Sequence, residues 1–140
     1  MTTIRLLGPG EAAVLDRVAE GVFDNPVDPR WAAEFFAEPR HHLAAALDGG
    51  VVIGMASAVH YVHPDKPPQL WVNEVGVAPP YRNRGIGRAL LLALFARGRE
   101  LGCEEAWLGT EPDNAAARRL YLTVGGEEEP MVMYSFRLKG

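Results

Sequence analysis

One stretch constrains this chain more than any other: Trp71-Val72-Asn73-Glu74-Val75-Gly76-Val77-Ala78-Pro79-Pro80-Tyr81-Arg82-Asn83-Arg84-Gly85-Ile86-Gly87-Arg88-Ala89-Leu90-Leu91. A β-branched apolar run stops at a double proline, a loop of arginines and glycines follows, and a strongly helical segment begins. A strand that feeds a helix through a glycine-rich turn is the layout of an anion site. Glycine lets backbone N–H groups approach a ligand closely, and the first amides of a helix have no intrahelical acceptor. Arg82, Arg84 and Arg88 add positive charge at the same place, so a phosphate or pyrophosphate is the expected guest.

The kind of phosphate ligand is narrowed by what is missing. A dinucleotide fingerprint needs a third glycine where Leu90 stands, and a P-loop needs Lys-Ser/Thr where Arg88-Ala89 stands. What is present, Arg82-x-x-Gly85-x-Gly87 preceded by Val77-x-Pro79-x-Tyr81, resembles the Gln/Arg-x-x-Gly-x-Gly/Ala acyl-CoA motif of the GNAT superfamily of N-acetyltransferases. Downstream, Asn114-x-x-Ala117-x-x-Leu120-Tyr121-x-x-x-Gly125 resembles a second segment of that superfamily. The resemblance implies acetyl-CoA as the acyl donor, with coenzyme A as product. It implies that Arg82, Asn83, Arg84, Gly85, Ile86, Gly87 and Arg88 cradle the pyrophosphate, that Asn114 and Ala117 meet the CoA arm, and that Tyr121 faces the thioester sulfur. Positions 114, 117 and 121 share one helical face, which makes the second motif physically sensible. The amide-rich pantetheine arm is expected to pair with backbone groups of Val75 and Val77 as an added strand would.

Two side chains are candidates for proton transfer. Tyr121, with an unperturbed pKa near about 10, stays protonated at neutral pH and can donate to a departing thiolate; the alternative is a packing tyrosine with its hydroxyl at the surface. Glu74 is a charge within an apolar strand, where acids are rarely placed without a partner or a task. It is the candidate base that takes the proton of an acceptor ammonium, directly or through water; the alternative is an edge acid or a structural ion pair. His41, His42, His60 and His63 lack metal-ligand spacing, so no metal is expected. Cys103 is the only cysteine, which excludes intrachain disulfides and reads as packing.

The length of 140 residues suits one domain, residues 1–140, with a single packed core. A net charge of −4 argues against general nucleic-acid binding, and no apolar run approaches membrane-spanning length, so a cytoplasmic protein is expected. Arginines gather at the proposed pyrophosphate loop, whereas acids gather at Asp24 and Asp28, at Glu111 and Asp113, and at Glu127 to Glu129. Asp24, Asp28, Glu111 and Asp113, with Glu74, are therefore expected to receive a cationic small-molecule amine.

Periodicity orders the elements. Residues 3–6 alternate as a strand, 11–23 carry apolar residues at helical spacing, and Asp28-Pro29 opens a short helix through Phe36. Residues 42–47 and 51–61 form a hairpin about Asp48-Gly49-Gly50, and 69–78 are the central strand. A helix follows over 84–101, then a short strand at 105–109, a helix capped by Asp113 or Asn114 and running to about 124, and a last strand over 131–138. The expected fold is α+β: a mostly antiparallel twisted sheet with a splayed parallel pair, helices on both faces, and shortened C-terminal strands. The order matches the GNAT order, except that the superfamily usually ends in two strands and only one is expected here. An edge left open in this way needs cover, so a homodimer is expected.

Within the superfamily, Leu6-x-Gly8-Pro9, the 58–68 strand and proline loop, an acid at position 74 and the compressed 119–128 segment look most like the small aminoglycoside 3-N-acetyltransferases. The resemblance implies an aminoglycoside acceptor of the antibiotic-resistance type. It matches Glu74 to an aspartate, one methylene shorter. Other readings are acetylation of a polyamine, an amino-acid derivative or a protein N-terminus, and a non-catalytic acyl-CoA-binding module that would need neither Glu74 nor Tyr121.

Overall fold

A computed structural model describes all 140 residues. Five strands, β1 (Thr2–Leu7), β2 (His41–Asp48), β3 (Val51–Tyr61), β4 (Gln69–Val77) and β5 (Ala106–Trp107), form one sheet in the order β1-β2-β3-β4-β5. Neighbours are antiparallel up to β4, and β4–β5 is parallel, as the sequence pattern requires. The β2–β3 turn falls on Gly49 and Gly50, which hold φ of 58° and 79°, a left-handed region that costs glycine little. Helices α1 (Pro29–Ala37), α2 (Ile86–Glu100) and α3 (Ala115–Thr123) complete the chain. Asp28 caps α1 by accepting from the Arg30 N–H at 2.9 Å, with proline at the first helical position.

Alternation along the strands divides the core into two layers. Ala44, Ala46, Ala56, Ala58, Leu70 and Val72 face α2, whose Ile86, Leu90, Leu91 and Leu94 pack on them. Leu43, Ala45, Val52 and Met55 point the other way, toward Leu15, Val22 and the Ala32 and Phe36 side of α1. The alanines let α2 lie close to the sheet, and Leu90, Leu91 and Leu94 are fully buried there.

Two expected elements are absent. Residues 11–23 are not one helix: a 3-10 turn covers Ala12–Asp16, and the chain then runs extended. β4 ends opposite Gly54, which leaves the Val52 backbone open on that side, and residues 17–19 fill the gap. Val52 N–H donates to the Arg17 carbonyl and Ala19 N–H to the Val52 carbonyl, both at 2.9 Å. These tertiary bonds, followed by Gly21 at φ 89°, override the helical spacing of Val14, Val18 and Val22. Residues 131–138 form no strand either. Apolar side chains fall on both parities there (Met131, Val132, Met133, Tyr134), so no register hides them, and β5 offers an edge only two residues long. Just before this segment, the Arg118 guanidinium grips Glu128 with two bonds of 2.8 and 2.9 Å.

The sheet also buries a polar pair. His42, 7% exposed, and His60 share a hydrogen bond of 2.7 Å between Nε2 and Nδ1. Burial first, then the charges of His60, Arg97 and His41, push the His42 pKa down to about 4. The unfolded chain thus binds a proton at His42 that the folded one refuses. The stability this protects is full above about pH 6.5 and is lost as pH falls toward 4, with a slope of up to about 1.4 kcal/mol per pH unit for one proton. Urea unfolding of wild type and His42→Gln between pH 7 and pH 4 should show the steeper decline only in wild type; equal slopes would mean that the pair titrates normally.

Candidate active site

The site is set by one extra residue in β4. Ser57 lies opposite Glu74 whereas Ala58 lies opposite Val72, so Asn73 has no partner on β3 and forms a β-bulge. In an unbroken strand Leu70 and Ala78 would turn their amides the same way. Here Leu70 N–H donates to Glu105 on the β5 side at 3.0 Å, and Ala78 N–H donates to Ile53 of β3 at 2.9 Å. The bulge has exchanged the two edges of the strand. Beyond it, the backbone groups of Val75 and Val77 turn away from β3. β5 pairs only with Leu70 and Trp71, so no strand covers them. The result is a splay between β4 and β5, with an open row of backbone donors and acceptors along the second half of β4.

The same bulge re-aims the side chains. Leu70 and Val72 pack toward α2, and so do Val75 and Val77, although their parity is opposite. Glu74 is thereby delivered to the α1 face. It stays exposed, yet loss of hydration first, and the charge of Asp24 second, push its carboxyl pKa above the ordinary value. Asp24 arrives there because its segment docks on β4: the Val22 carbonyl rests against Gly76 so closely that any Cβ at position 76 would collide with it. A glycine inside an apolar strand is a readable sign of such an approach.

Past β4 the chain turns through Pro79–Tyr81 into α2. Asn83 (φ 62°) and Gly85 (φ 79°) adopt left-handed conformations, and Gly85 is the N-cap of α2 with no side-chain cap. The first helical bond is donated by Ala89 to Gly85, so the N–H groups of Ile86, Gly87 and Arg88 lack helical acceptors. Arg82, Arg84 and Arg88 are exposed around them. This fits a pyrophosphate: oriented amides, a positive helix end and guanidinium groups. Gly87 is buried and has a second duty, since a Cβ there would come to 3.0 Å of Leu120 on α3. Arg82 Nε donates to the Val77 carbonyl at 3.0 Å, which ties the loop to the open edge. Tyr81 donates to Asp48 Oδ2 at 2.6 Å while the Arg84 guanidinium lies 5.3 Å from its ring centroid, so the β2–β3 turn braces the loop. Asp48 was legible only as a turn residue.

On the other side of the splay, Asn114 Oδ1 caps α3 by accepting from Ala117 N–H at 3.1 Å, which leaves its amide donors free. Tyr121 is half-buried beside the layer that includes Val75 and Val77, and burial raises its pKa, so the hydroxyl is a proton donor at neutral pH. Glu74 thus stands on the α1 face of β4, while Tyr121 packs against the core layer on the α2 face.

The expected acidic cluster is only partly assembled. Asp24 lies by Glu74. The Asp28 carboxylate is already engaged by the Arg30 backbone and guanidinium. Glu111 and Asp113 are exposed in the turn before α3, where Glu111 and Asp113 supply carbonyls to Asn114 and Ala115. Two acids not singled out in the sequence, Asp16 and Glu20, line a cleft of about 870 Å³ with Asp24, Phe23 and Ala32, and no cationic side chain lines it. A smaller cleft of about 530 Å³ lies toward the His60 end of β3, between Glu34, Arg40 and Tyr61. Cys103 is half-buried with its thiol pKa pushed up by burial, in keeping with packing.

Comparison with known proteins agrees with this architecture. Residues 13–125 match the Acetyltransferase (GNAT) family. The chain is 34% identical over 121 residues to N-alpha-acetyltransferase RimI of Mycobacterium tuberculosis, covering 85% of this chain and 73% of that one. It is 32% identical over 99 residues to aminoglycoside N(6')-acetyltransferase type 1 of Salmonella typhimurium, covering 66% and 68%. In fold it superposes on the structure of AAC(6')-Iy in complex with the bisubstrate analog CoA-S-monomethyl-acetylneamine with a TM-score of 0.80 at 24% identity, covering 98% of this chain and 99% of that one. These aminoglycoside relatives carry the N(6') designation, not the 3-N of the motif resemblance.

The closeness of Asp24 to Glu74 is directly measurable. With ¹³C-labelled glutamate, the Glu74 carboxyl should titrate above the ordinary glutamate range, and Asp24→Asn should bring it down. An unchanged titration in Asp24→Asn would separate the two groups.

Proposed function

The chain belongs to the Acetyltransferase (GNAT) family and is an acetyl-CoA-dependent N-acetyltransferase, and from that premise we propose that its acceptor is a primary amine of an aminoglycoside. The observation that carries the reading is electrostatic: Asp24 stands by Glu74, and the adjoining cleft holds Asp16 and Glu20 with no positive side chain. A polycation is concentrated by such a field and held by charge-assisted hydrogen bonds. Aminoglycoside acetyltransferases among the relatives and structural neighbours support it.

In this reading acetyl-CoA supplies an activated acetyl thioester. The amides of Ile86, Gly87 and Arg88, with Asn83, Gly85 and the guanidinium groups of Arg82, Arg84 and Arg88, hold its pyrophosphate. Val75 and Val77 bond the pantetheine arm as an added strand, and Asn114 and Ala117 border it from α3. Glu74 takes the ammonium proton, helped by a carboxyl pKa that burial first and Asp24 second hold above the ordinary value. Tyr121 protonates the departing sulfur. Attack is direct, within a ternary complex. Asp24, Glu111 and Asp113 meet the other ammonium groups, whereas Asp28 serves chiefly as a helix cap.

No helix is long and apolar enough to cross a membrane, and the proposal places the enzyme in the cytoplasm, where acetyl-CoA is available. It also includes a homodimer. The sheet ends at a two-residue β5, and Met131, Val132, Met133, Tyr134, Phe136 and Leu138 are 70–99% exposed, an apolar surface that a second subunit would cover. A second reading, acetylation of a protein N-terminus, is favoured by the 34% identity to RimI.

Thiol release from acetyl-CoA, measured across aminoglycosides, polyamines and N-terminal peptides, decides between them. The proposal expects aminoglycosides to lead in kcat/KM, with an acceptor KM that rises with salt and in Asp24→Asn. A leading peptide would instead select the N-terminal reading. In the same assay Tyr121→Phe should lower kcat by about 10- to 1,000-fold with acetyl-CoA affinity preserved. Unchanged turnover would make Tyr121 a packing residue.

A further inference from the structure

Ser57 is the polar exception in β3. Its neighbours Gly54, Met55, Ala56, Ala58 and Val59 are apolar, and it is 5% exposed. An alanine would fill the same space without the cost of desolvating a hydroxyl. Buried serines normally bond within the protein, but the side-chain hydrogen bonds around this part of the sheet join His42 to His60 and His63 to Gln69, not Ser57. Nor is its oxygen a sealed, unpartnered atom. The hydroxyl therefore opens onto the surface that β3 and β4 share.

What it opens toward is set by register. Ser57 is the cross-strand partner of Glu74, the last paired position before the bulge at Asn73. Directly opposed residues carry their side chains on one face with Cβ atoms about 4.5–5.5 Å apart. The bulge widens the ladder at that point and frees backbone groups of Asn73. A serine hydroxyl, a carboxyl and released backbone polar groups thus surround one small space on the α1 face, beside Asp24. That is the donor and acceptor set a bridging water requires.

We propose that Ser57 is a positioning residue for Glu74: its hydroxyl and the Glu74 carboxylate hold one water between them, and this water carries the acceptor's proton. The proposal rests on Glu74 being the base. The acceptor ammonium gives a proton to the water, which passes one of its own to a Glu74 oxygen. The amine lone pair so freed forms the N–C bond to the acetyl carbon as the C–S bond breaks, and the sulfur leaves with the proton of Tyr121. The second proton, lost by the new amide nitrogen, passes through solvent to restore the Tyr121 hydroxyl. Ser57 loses nothing in the cycle; it fixes where the water stands and donates to it or through it to the carboxylate. Because that hydrogen bond favours the charged carboxylate, Ser57 also restrains the upward pull that burial and Asp24 exert on Glu74.

The test compares Ser57→Ala, Ser57→Thr, Glu74→Gln and the double variant Ser57→Ala/Glu74→Gln. In the protein alone, the ¹³C titration of Glu74 should move to higher pH in Ser57→Ala and return in Ser57→Thr, which keeps the hydroxyl. With acetyl-CoA and acceptor, Ser57→Ala should lower kcat by about tenfold, within the range of a proton-transfer device, and leave the acceptor KM unchanged. In the Glu74→Gln background it should have no further effect. A lower melting temperature with an unmoved Glu74 titration and unmoved kcat would make Ser57 a packing residue and overturn the proposal while leaving Glu74 as base. A Glu74→Gln variant with full turnover would overturn both.

Discussion

The candidate active site depends on one irregularity, the extra residue Asn73 in β4. Before it, β4 gives its outward backbone groups to β5; after it, the outward row belongs to Val75 and Val77 and has no strand partner, with only the Val77 carbonyl held, by Arg82. The sheet thus splays where an amide-rich arm can be added as a strand. The same residue turns Glu74 to the α1 face and returns Val75 and Val77 to the α2 layer. Without the bulge, Glu74 would be directed at the leucines of α2 and its charge would have no outlet. The fold and the chemistry share one device, as bulges near active sites commonly do.

Around that device the protein is braced rather than filled. The Val22 carbonyl seats on Gly76 and brings Asp24 to Glu74. Arg82 holds the Val77 carbonyl, and Tyr81 reaches across to Asp48 in the β2–β3 turn. Leu120 of α3 closes on Gly87 of α2, so the helix that carries Tyr121 is located by the helix whose first turn offers the proposed anion site. Few residues of the glycine–arginine loop are buried, and its shape comes from these ties and from the left-handed Asn83 and Gly85.

Much of this was legible in the sequence because it is local. The Asp48-Gly49-Gly50 turn, the Asp28-Pro29 start of α1, the Asn114 cap and the strand–loop–helix run each carry their signal within a few residues. What was not legible depends on partners distant in the chain. Residues 11–23 carry helical spacing but bond to Val52 instead, and residues 131–138 carry strand-like composition but meet no edge long enough to pair with. The bulge leaves no mark in composition, so Ser57 could not be matched to Glu74 beforehand. Of the predicted acceptor acids, Asp24 came to the site through the Gly76 contact, whereas Asp28 was already committed to capping, a conflict that the Asp-Pro signal itself announces.

The central claim is that acetyl-CoA completes the sheet along the open half of β4. Amide hydrogen exchange resolved at Val75 and Val77, with and without saturating acetyl-CoA, tests it most directly. The account predicts that both amides exchange readily in the free protein and become protected when acetyl-CoA is added, together with those of Ile86, Gly87 and Arg88. Protection confined to the start of α2, with Val75 and Val77 unchanged, would contradict it.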